Sequence, residues 1–258
     1  VLRFVGPSNI LRDVDALFER LDDLRGKTVV DIPAGAGRMS GVLMRLGAQV
    51  EAYDLFPEAF QVPGLVCRQA NLLERLPMPD HHADIVLCQE GMEHLQDQMS
   101  VLREFSRVLK PGGRLYITTP NRSAVRAKCA RLLLESHLMD KLPLTAGDAV
   151  IATSDRGTYF HHMFAIGVQK LRTLAEVAGL QLRRVHRVKV SPLSLLLGLP
   201  LYPALALVNL YAYSHTLRRK RRGPVDPGRR AAYRKTLALN LQPTVLFGKK
   251  LFLEFEKV

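Results

Sequence analysis

Five short stretches hold the residues whose types and spacing could do chemistry. Asp31 follows the apolar run Val29-Val30 and opens a Gly-rich turn, Ile32-Pro33-Ala34-Gly35-Ala36-Gly37. Glycine is needed where φ is positive or where a ligand must approach the backbone. A helix starting at Arg38 would leave its first N–H groups for a polar ligand. Asp54 ends Glu51-Ala52-Tyr53-Asp54, and a carboxylate at a strand end accepts hydrogen bonds from both hydroxyls of a ribose. Asn71 and Leu72 precede Leu76-Pro77-Met78-Pro79-Asp80. Gln89 and Glu90 follow Ala83-Asp84-Ile85-Val86-Leu87-Cys88, with Glu93 and His94 just beyond. The fifth stretch runs from Leu102 through Lys110-Pro111-Gly112-Gly113 to Asn121. His94, His161 and His162 are the candidate general bases, since imidazole alone among side chains ordinarily changes charge near neutral pH.

The Gly-rich turn does not choose its ligand by itself. Dinucleotide-binding folds use the same device, and Asp54 would suit NAD as well as S-adenosylmethionine. The third glycine of G-x-G-x-x-G, however, would fall at Ser40. Asp31 before the turn also favours a ligand with a cationic amino group over a pyrophosphate. Glu90, Glu93 and the histidines match no standard metal-ligand spacing, so no metal is expected.

The elements that must position these residues alternate. Helical spacing of apolar residues predicts a helix from Ser8 to Leu24, through Ile10, Val14, Phe18 and Leu21. Strands are expected at Lys27–Ile32, Gln49–Tyr53, Leu65–Arg68, Ala83–Cys88 and Arg114–Thr119, and helices at Arg38–Leu46 and Met99–Leu109. This alternation implies a parallel sheet with crossover helices, where ligands bind beyond the carboxyl ends of the strands. The second half reads as a basic helix Arg122–Met139, a helix Val168–Ala178, a strand Leu180–Val190 and a last strand Gly248–Val258.

Charge divides the chain. Residues 1–121 carry 13 Lys/Arg and 16 Asp/Glu, whereas residues 122–258 carry 24 and 8. The basic half therefore calls for an anionic partner: a phospholipid surface, a phosphorylated substrate or nucleic acid. Cys67, Cys88 and Cys129 are widely spaced and odd in number, which argues against a disulfide framework. With no secretory signal ahead of the first helix, the cytoplasm is the expected compartment.

Taken in order, DIPAGAG, AYD, ANLLERLPMPD, ADIVLCQEGMEHL and LREFSRVLKPGGRLYITTPN resemble the class I S-adenosylmethionine-dependent methyltransferases. The resemblance is nearest to the branch of ubiquinone-biosynthesis O-methyltransferases and small-molecule and sugar methyltransferases. It covers roughly residues 27–121, with weaker continuations at 159–190 and 248–258. It implies an α/β fold with a doubly wound, seven-stranded Rossmann-like sheet, an N-terminal helix and an apolar/basic insertion before the last strand. S-adenosyl-L-methionine is the implied cofactor. By this resemblance Asp31, Gly35 and Gly37 line its methionyl part, Asp54 holds the ribose, and Leu55 packs on the adenine. Asn71 and Leu72 meet the adenine edge, and Gln89 and Glu90 lie under the sulfonium and the carboxypropyl arm. Pro33 stands where the family has its first glycine, and Asn71 where it has Asp. These departures keep a rival reading open, a catalytically inactive fold serving as a binding module. A nucleic-acid methyltransferase is a further rival. Against it, Gln89-Glu90-Gly91-Met92 replaces the Asn/Asp-Pro-Pro-aromatic stretch of base-amine methylation, and Cys88 lacks the proline of C5 methylation.

The expected organisation is an N-terminal helical lid at 1–26, a methyltransferase domain of 27–190 plus 244–258, and an insertion at 191–243. Leu193–Tyr213 holds no charged residue, and Arg218-Arg219-Lys220-Arg221-Arg222 follows. Length alone would span a bilayer. A single crossing would put the last strand on the wrong side, and Pro200, Pro203 and Asn209 are expected to interrupt the stretch. A re-entrant or interfacial helical pair on anionic headgroups is therefore expected, giving a peripheral position at the inner face of a membrane and access to a lipid-linked or small-molecule substrate; the alternatives are a hydrophobic substrate lid or a dimer interface.

Overall fold

The computed structural model describes residues 9–20, 24–136, 142–154, 156–218 and 227–258. Ser8, Leu21, Met139, Arg219, Lys220, Arg221 and Arg222 lie outside the described residues.

Helix α1 (Asn9–Phe18) leads into β1 (Thr28–Asp31), α2 (Arg38–Arg45), β2 (Gln49–Asp54) and the short β3 (Cys67–Gln69). Then come β4 (Ala83–Gln89), α3 (Gln98–Val108) and β5 (Leu109–Pro120). The second half adds α4 (Val125–Leu134), α5 (Ala146–Ala149), β6 (Val150–Ser154), β7 (Gly157–Phe160), α6 (Val168–Val177) and β8 (Leu180–Val185). It closes with α7 (Pro192–Arg218), α8 (Pro227–Leu241), α9 (Pro243–Phe247) and β9 (Lys250–Lys257).

Seven strands form one sheet in the order β3-β2-β1-β4-β5-β9-β8, and β9 runs antiparallel to both neighbours. β4 is largely apolar, and β1 has Val29-Val30 at its centre, because both faces of the sheet are covered. Phe105 of α3 and Leu171 of α6 fill one face. Val14 and Phe18 of α1 and Leu43 of α2 fill the other, where the Phe18 ring meets Tyr116 at 5.1 Å. The order reverses between β1 and β4, and the crevice above that reversal is where such sheets take ligands.

Several expected elements come out differently. The strand expected at Leu180–Val190 ends at Val185, and Val190 rejoins only through an isolated bridge to Gly248. The expected helix from Arg122 starts at Val125 and closes at Glu135, which has φ 52°. The β6–β7 hairpin has no counterpart in the sequence reading: its strands are four and five residues long and stand apart from the main sheet. Pro200 and Pro203 do not interrupt α7, which runs 27 residues, about 40 Å at 1.5 Å per residue. Each proline lacks an N–H, so the carbonyls of Leu196 and Leu199 lose their usual helical partners. Helix α8 packs along α7, where Asn240 Nδ2 donates to Asn209 Oδ1 at 2.8 Å. Gly198 rests α7 on α9, since a Cβ there would run into the Phe247 ring.

Candidate active site

A cavity of about 710 Å³ opens over the carboxyl ends of β1, β2 and β4. Its wall is mostly apolar, with Leu55, Ala70, Leu72 and Leu95 contributing. Asp54 lies in this wall, 9% exposed. Its Oδ2 accepts the Gly35 N–H and its Oδ1 the Phe56 N–H, each at 2.8 Å. The carboxylate thus ties the Gly-rich turn to the end of β2 and keeps lone pairs for a further donor. Gly35 (φ +53°) has open space where a Cβ would project, so the cradle is clear for a ligand.

The remaining expected cofactor residues divide. Leu55, Asn71 and Leu72 line the cavity, whereas Asp31, Gly37, Gln89 and Glu90 lie outside its wall. Asp31 is 1% exposed and accepts the Ser40 hydroxyl at 2.6 Å, so it braces the start of α2. Burial pushes its pKa up to about 7, against the pull of the Ser40 hydrogen bonds. Ser40, the residue that breaks the dinucleotide pattern, is therefore a structural partner. Gly37 (φ +83°) caps α2, and a Cβ there would strike Phe60. The Asn71 carbonyl accepts the Leu73 N–H at 3.0 Å and its amide donates to Glu74 at 2.9 Å, so local contacts occupy both ends. Glu90 pairs with Lys250 of β9, and the Oε1 atoms of Gln89 and Glu90 are buried without hydrogen-bond partners. Pro33 is accommodated by Gly91, whose missing Cβ would otherwise meet the Pro33 ring.

The three candidate bases are neighbours. His94 lines the cavity and its Nδ1–H donates to the Phe160 carbonyl at 2.6 Å. Because that carbonyl can only accept, Nε2 is left as the basic nitrogen. Burial holds the His94 pKa below the usual imidazole range. The His162 ring stands 4.9 Å from His94, and burial with its cationic neighbours drives its pKa down to about 3. His161 does not line the cavity; its ring stands 4.9 Å from that of His162, and its Nδ1 accepts the His162 N–H at 2.8 Å. Glu93 completes the group, fully buried, with Oε2 accepting the Thr119 hydroxyl at 2.9 Å and Oε1 unpartnered. Desolvation raises its pKa to about 8. One ligand atom each from Glu93, His94 and His162 lies within 4.8 Å of the others, a donor set that suits a divalent ion. Sequence spacing had argued against a metal because His162 comes from a distant segment.

The sequence reading missed three lining residues, all from the β6–β7 hairpin. Tyr159 of β7 stacks on His94 at 4.5 Å and lines the cavity with Ile151 and Ala152 of β6. The hairpin is tethered across the cavity by an Arg156–Glu58 ion pair and by Asn71. The only hint lay in Tyr159-Phe160-His161-His162, an aromatic-imidazole run too dense for a solvated loop.

A family model described as a methyltransferase domain matches residues 30–117. The chain is 29% identical over 190 residues to a ubiquinone biosynthesis O-methyltransferase from Aeromonas salmonicida, covering 70% of this chain and 74% of that one. The Xanthomonas euvesicatoria protein of the same name is 31% identical over 179 residues, 66% of this chain and 69% of its own length. A solved S-adenosylmethionine-dependent methyltransferase from Archaeoglobus fulgidus shares the fold, with a TM-score of 0.53 at 16% identity over 97% of this chain and 95% of that one. Sheet order, cavity and relatives agree: the chain belongs to the class I S-adenosylmethionine-dependent methyltransferases.

Proposed function

We propose that the chain transfers a methyl group from S-adenosylmethionine to an oxygen of a small-molecule, sugar or lipid-linked acceptor, in the cytoplasm at the inner face of a membrane. The sulfonium supplies a methyl group already activated for displacement. Asp54 and the apolar wall orient the cofactor, and the β6–β7 hairpin excludes water. The acceptor oxygen attacks the methyl carbon in line while its proton passes to His94 Nε2. The observation that carries this reading is the His94 hydrogen bond to Phe160, which presents a neutral imidazole with a free acceptor nitrogen beside the cavity.

Its test is His94→Gln, assayed for methyl transfer and for S-adenosylhomocysteine binding. Turnover should fall about a hundredfold with binding retained; unchanged turnover would sink the assignment of the base. The Glu93–His94–His162 cluster favours a second reading, in which a divalent ion held there assists proton removal. Loss of activity in chelator, restored by magnesium or zinc, would select it.

Membrane attachment is proposed for the 191–243 insertion. Among the described residues α7 is the one helix long and apolar enough to cross a membrane, by length and composition only. Leu196, Leu207 and Tyr211 are about 70% exposed along it. Arg218, Arg230, Arg234 and Lys235 flank it. Each basic residue near an anionic surface contributes about 1 kcal/mol.

A further inference from the structure

A second cavity, about 600 Å³, lies beside the first and shares its wall-forming segments. Leu95 and Tyr159 face the first cavity, whereas Gln96, Gln98, Met163 and Phe164 face the second. Gln98 Nε2 donates to the carbonyls of Met92 and Phe164, each at 2.7 Å, and so locks the two segments together. The cavity takes three cationic side chains from three different elements: Arg122 just after β5, Arg131 on α4 and Lys170 on α6. No Asp or Glu is among the described residues that line it.

Arg122 connects this cavity to the reacting end of the site. Its Nη2 donates to the His162 carbonyl at 3.5 Å, while its Nε is buried with no hydrogen-bond partner. Burial and the neighbouring Arg131 lower its pKa to about 10. A half-buried guanidinium beside a second one, with no counter-charge among the described residues that line the cavity, is costly to maintain unless an anion balances it.

We propose that this cavity is the subsite for a phosphate group carried by the methyl acceptor. A phosphate monoester brings close to two negative charges and three strong acceptor oxygens, which matches two guanidinium forks and an ammonium; one carboxylate would leave most of that charge unbalanced. The acceptor hydroxyl would then lie at His94 and its phosphate across His162, so the subsite sets both orientation and specificity. Its link to methylation rests on the proposed function of the first cavity; its affinity for phosphate does not.

The test is calorimetric titration of the full chain with inorganic phosphate, and with benzoate for comparison, both with and without S-adenosylhomocysteine. Saturable phosphate binding is expected, tighter than benzoate. It should weaken about tenfold in Arg131→Gln/Lys170→Gln, whose side chains are exposed enough to leave the fold intact. Arg20→Gln/Arg45→Gln, two exposed residues that line neither cavity, removes the same charge elsewhere and should change nothing. Absence of saturable phosphate binding, equal loss in both double variants, or tighter binding of benzoate would each overturn the proposal. Glycerol 3-phosphate and phosphatidylcholine vesicles containing phosphatidic acid separate a soluble from a lipid-linked source. Glycerol 3-phosphate binding that survives Arg131→Gln/Lys170→Gln counts against the subsite, as does vesicle binding that survives it once Leu196→Asp/Leu207→Asp has removed the contribution of α7. Loss of S-adenosylhomocysteine binding with phosphate binding intact would instead remove the methyltransferase reading and leave the subsite standing.

Discussion

At the scale of single residues, two aspartates one strand apart do different work. Asp54 faces the cavity and holds the N–H groups of Gly35 and Phe56. Asp54→Ala removes a charged acceptor from the proposed ribose position and leaves both N–H groups without a partner. Affinity for S-adenosylhomocysteine should fall about ten- to a hundredfold by calorimetry, with NADH binding neither protein. Asp31 is sealed under the turn with Ser40, and burial raises its pKa from 3.8 to about 7. A raised carboxyl pKa means that the folded chain binds more protons than the unfolded one between those two values. Stability on this account is greatest below about pH 4 and is lost as the pH rises towards 7. Asp31→Asn should flatten that part of a plot of melting temperature against pH; an unchanged slope would show that Asp31 does not titrate in this range.

At the scale of elements, the Gly-rich turn and the hairpin hold opposite sides of the cavity. Gly37 combines a left-handed backbone with a Cβ direction blocked by Phe60. Gly37→Ala should therefore cost about 1–2 kcal/mol from conformation alone, plus whatever Phe60 must give, measured by urea denaturation. The hairpin is held less firmly. Its Arg156–Glu58 ion pair is largely solvent-exposed, and such pairs contribute little. Arg156→Ala should weaken S-adenosylhomocysteine binding by only about threefold, with faster proteolysis between β6 and β7 as the second readout. The central strands β1, β4 and β5 were legible because each carries an apolar run, Val29-Val30, Ile85-Val86-Leu87-Cys88 and Leu115-Tyr116-Ile117, with a turn beyond its end. The hairpin was not legible, because its short run Val150-Ile151-Ala152 is largely uncovered and the hairpin is held at Arg156 by Glu58, 98 residues away in sequence.

At the scale of the whole molecule, the acidic half builds the cofactor cavity, while most of the positive charge belongs to the second half and its helical insertion. An apolar helix left uncovered on a monomer, with basic residues around it, should bind anionic liposomes. Leu196→Asp/Leu207→Asp changes two exposed residues and should abolish flotation with such liposomes, whereas equal partitioning of variant and parent would refute the membrane proposal. The alternation of strands and helices and the carboxylate of Asp54 at the end of β2 were determined by the sequence itself. They follow from local pattern: apolar strands, glycine at forced turns, and a carboxylate where a strand ends. Tertiary structure alone decided that Asp31 faces Ser40 rather than the cavity, and that α7 continues through two prolines because it packs against α8 and α9. It also brought His162 beside His94 and gathered Arg122, Arg131 and Lys170 around one pocket. Those outcomes depend on contacts between residues distant along the chain, where spacing in sequence carries no record of distance in space.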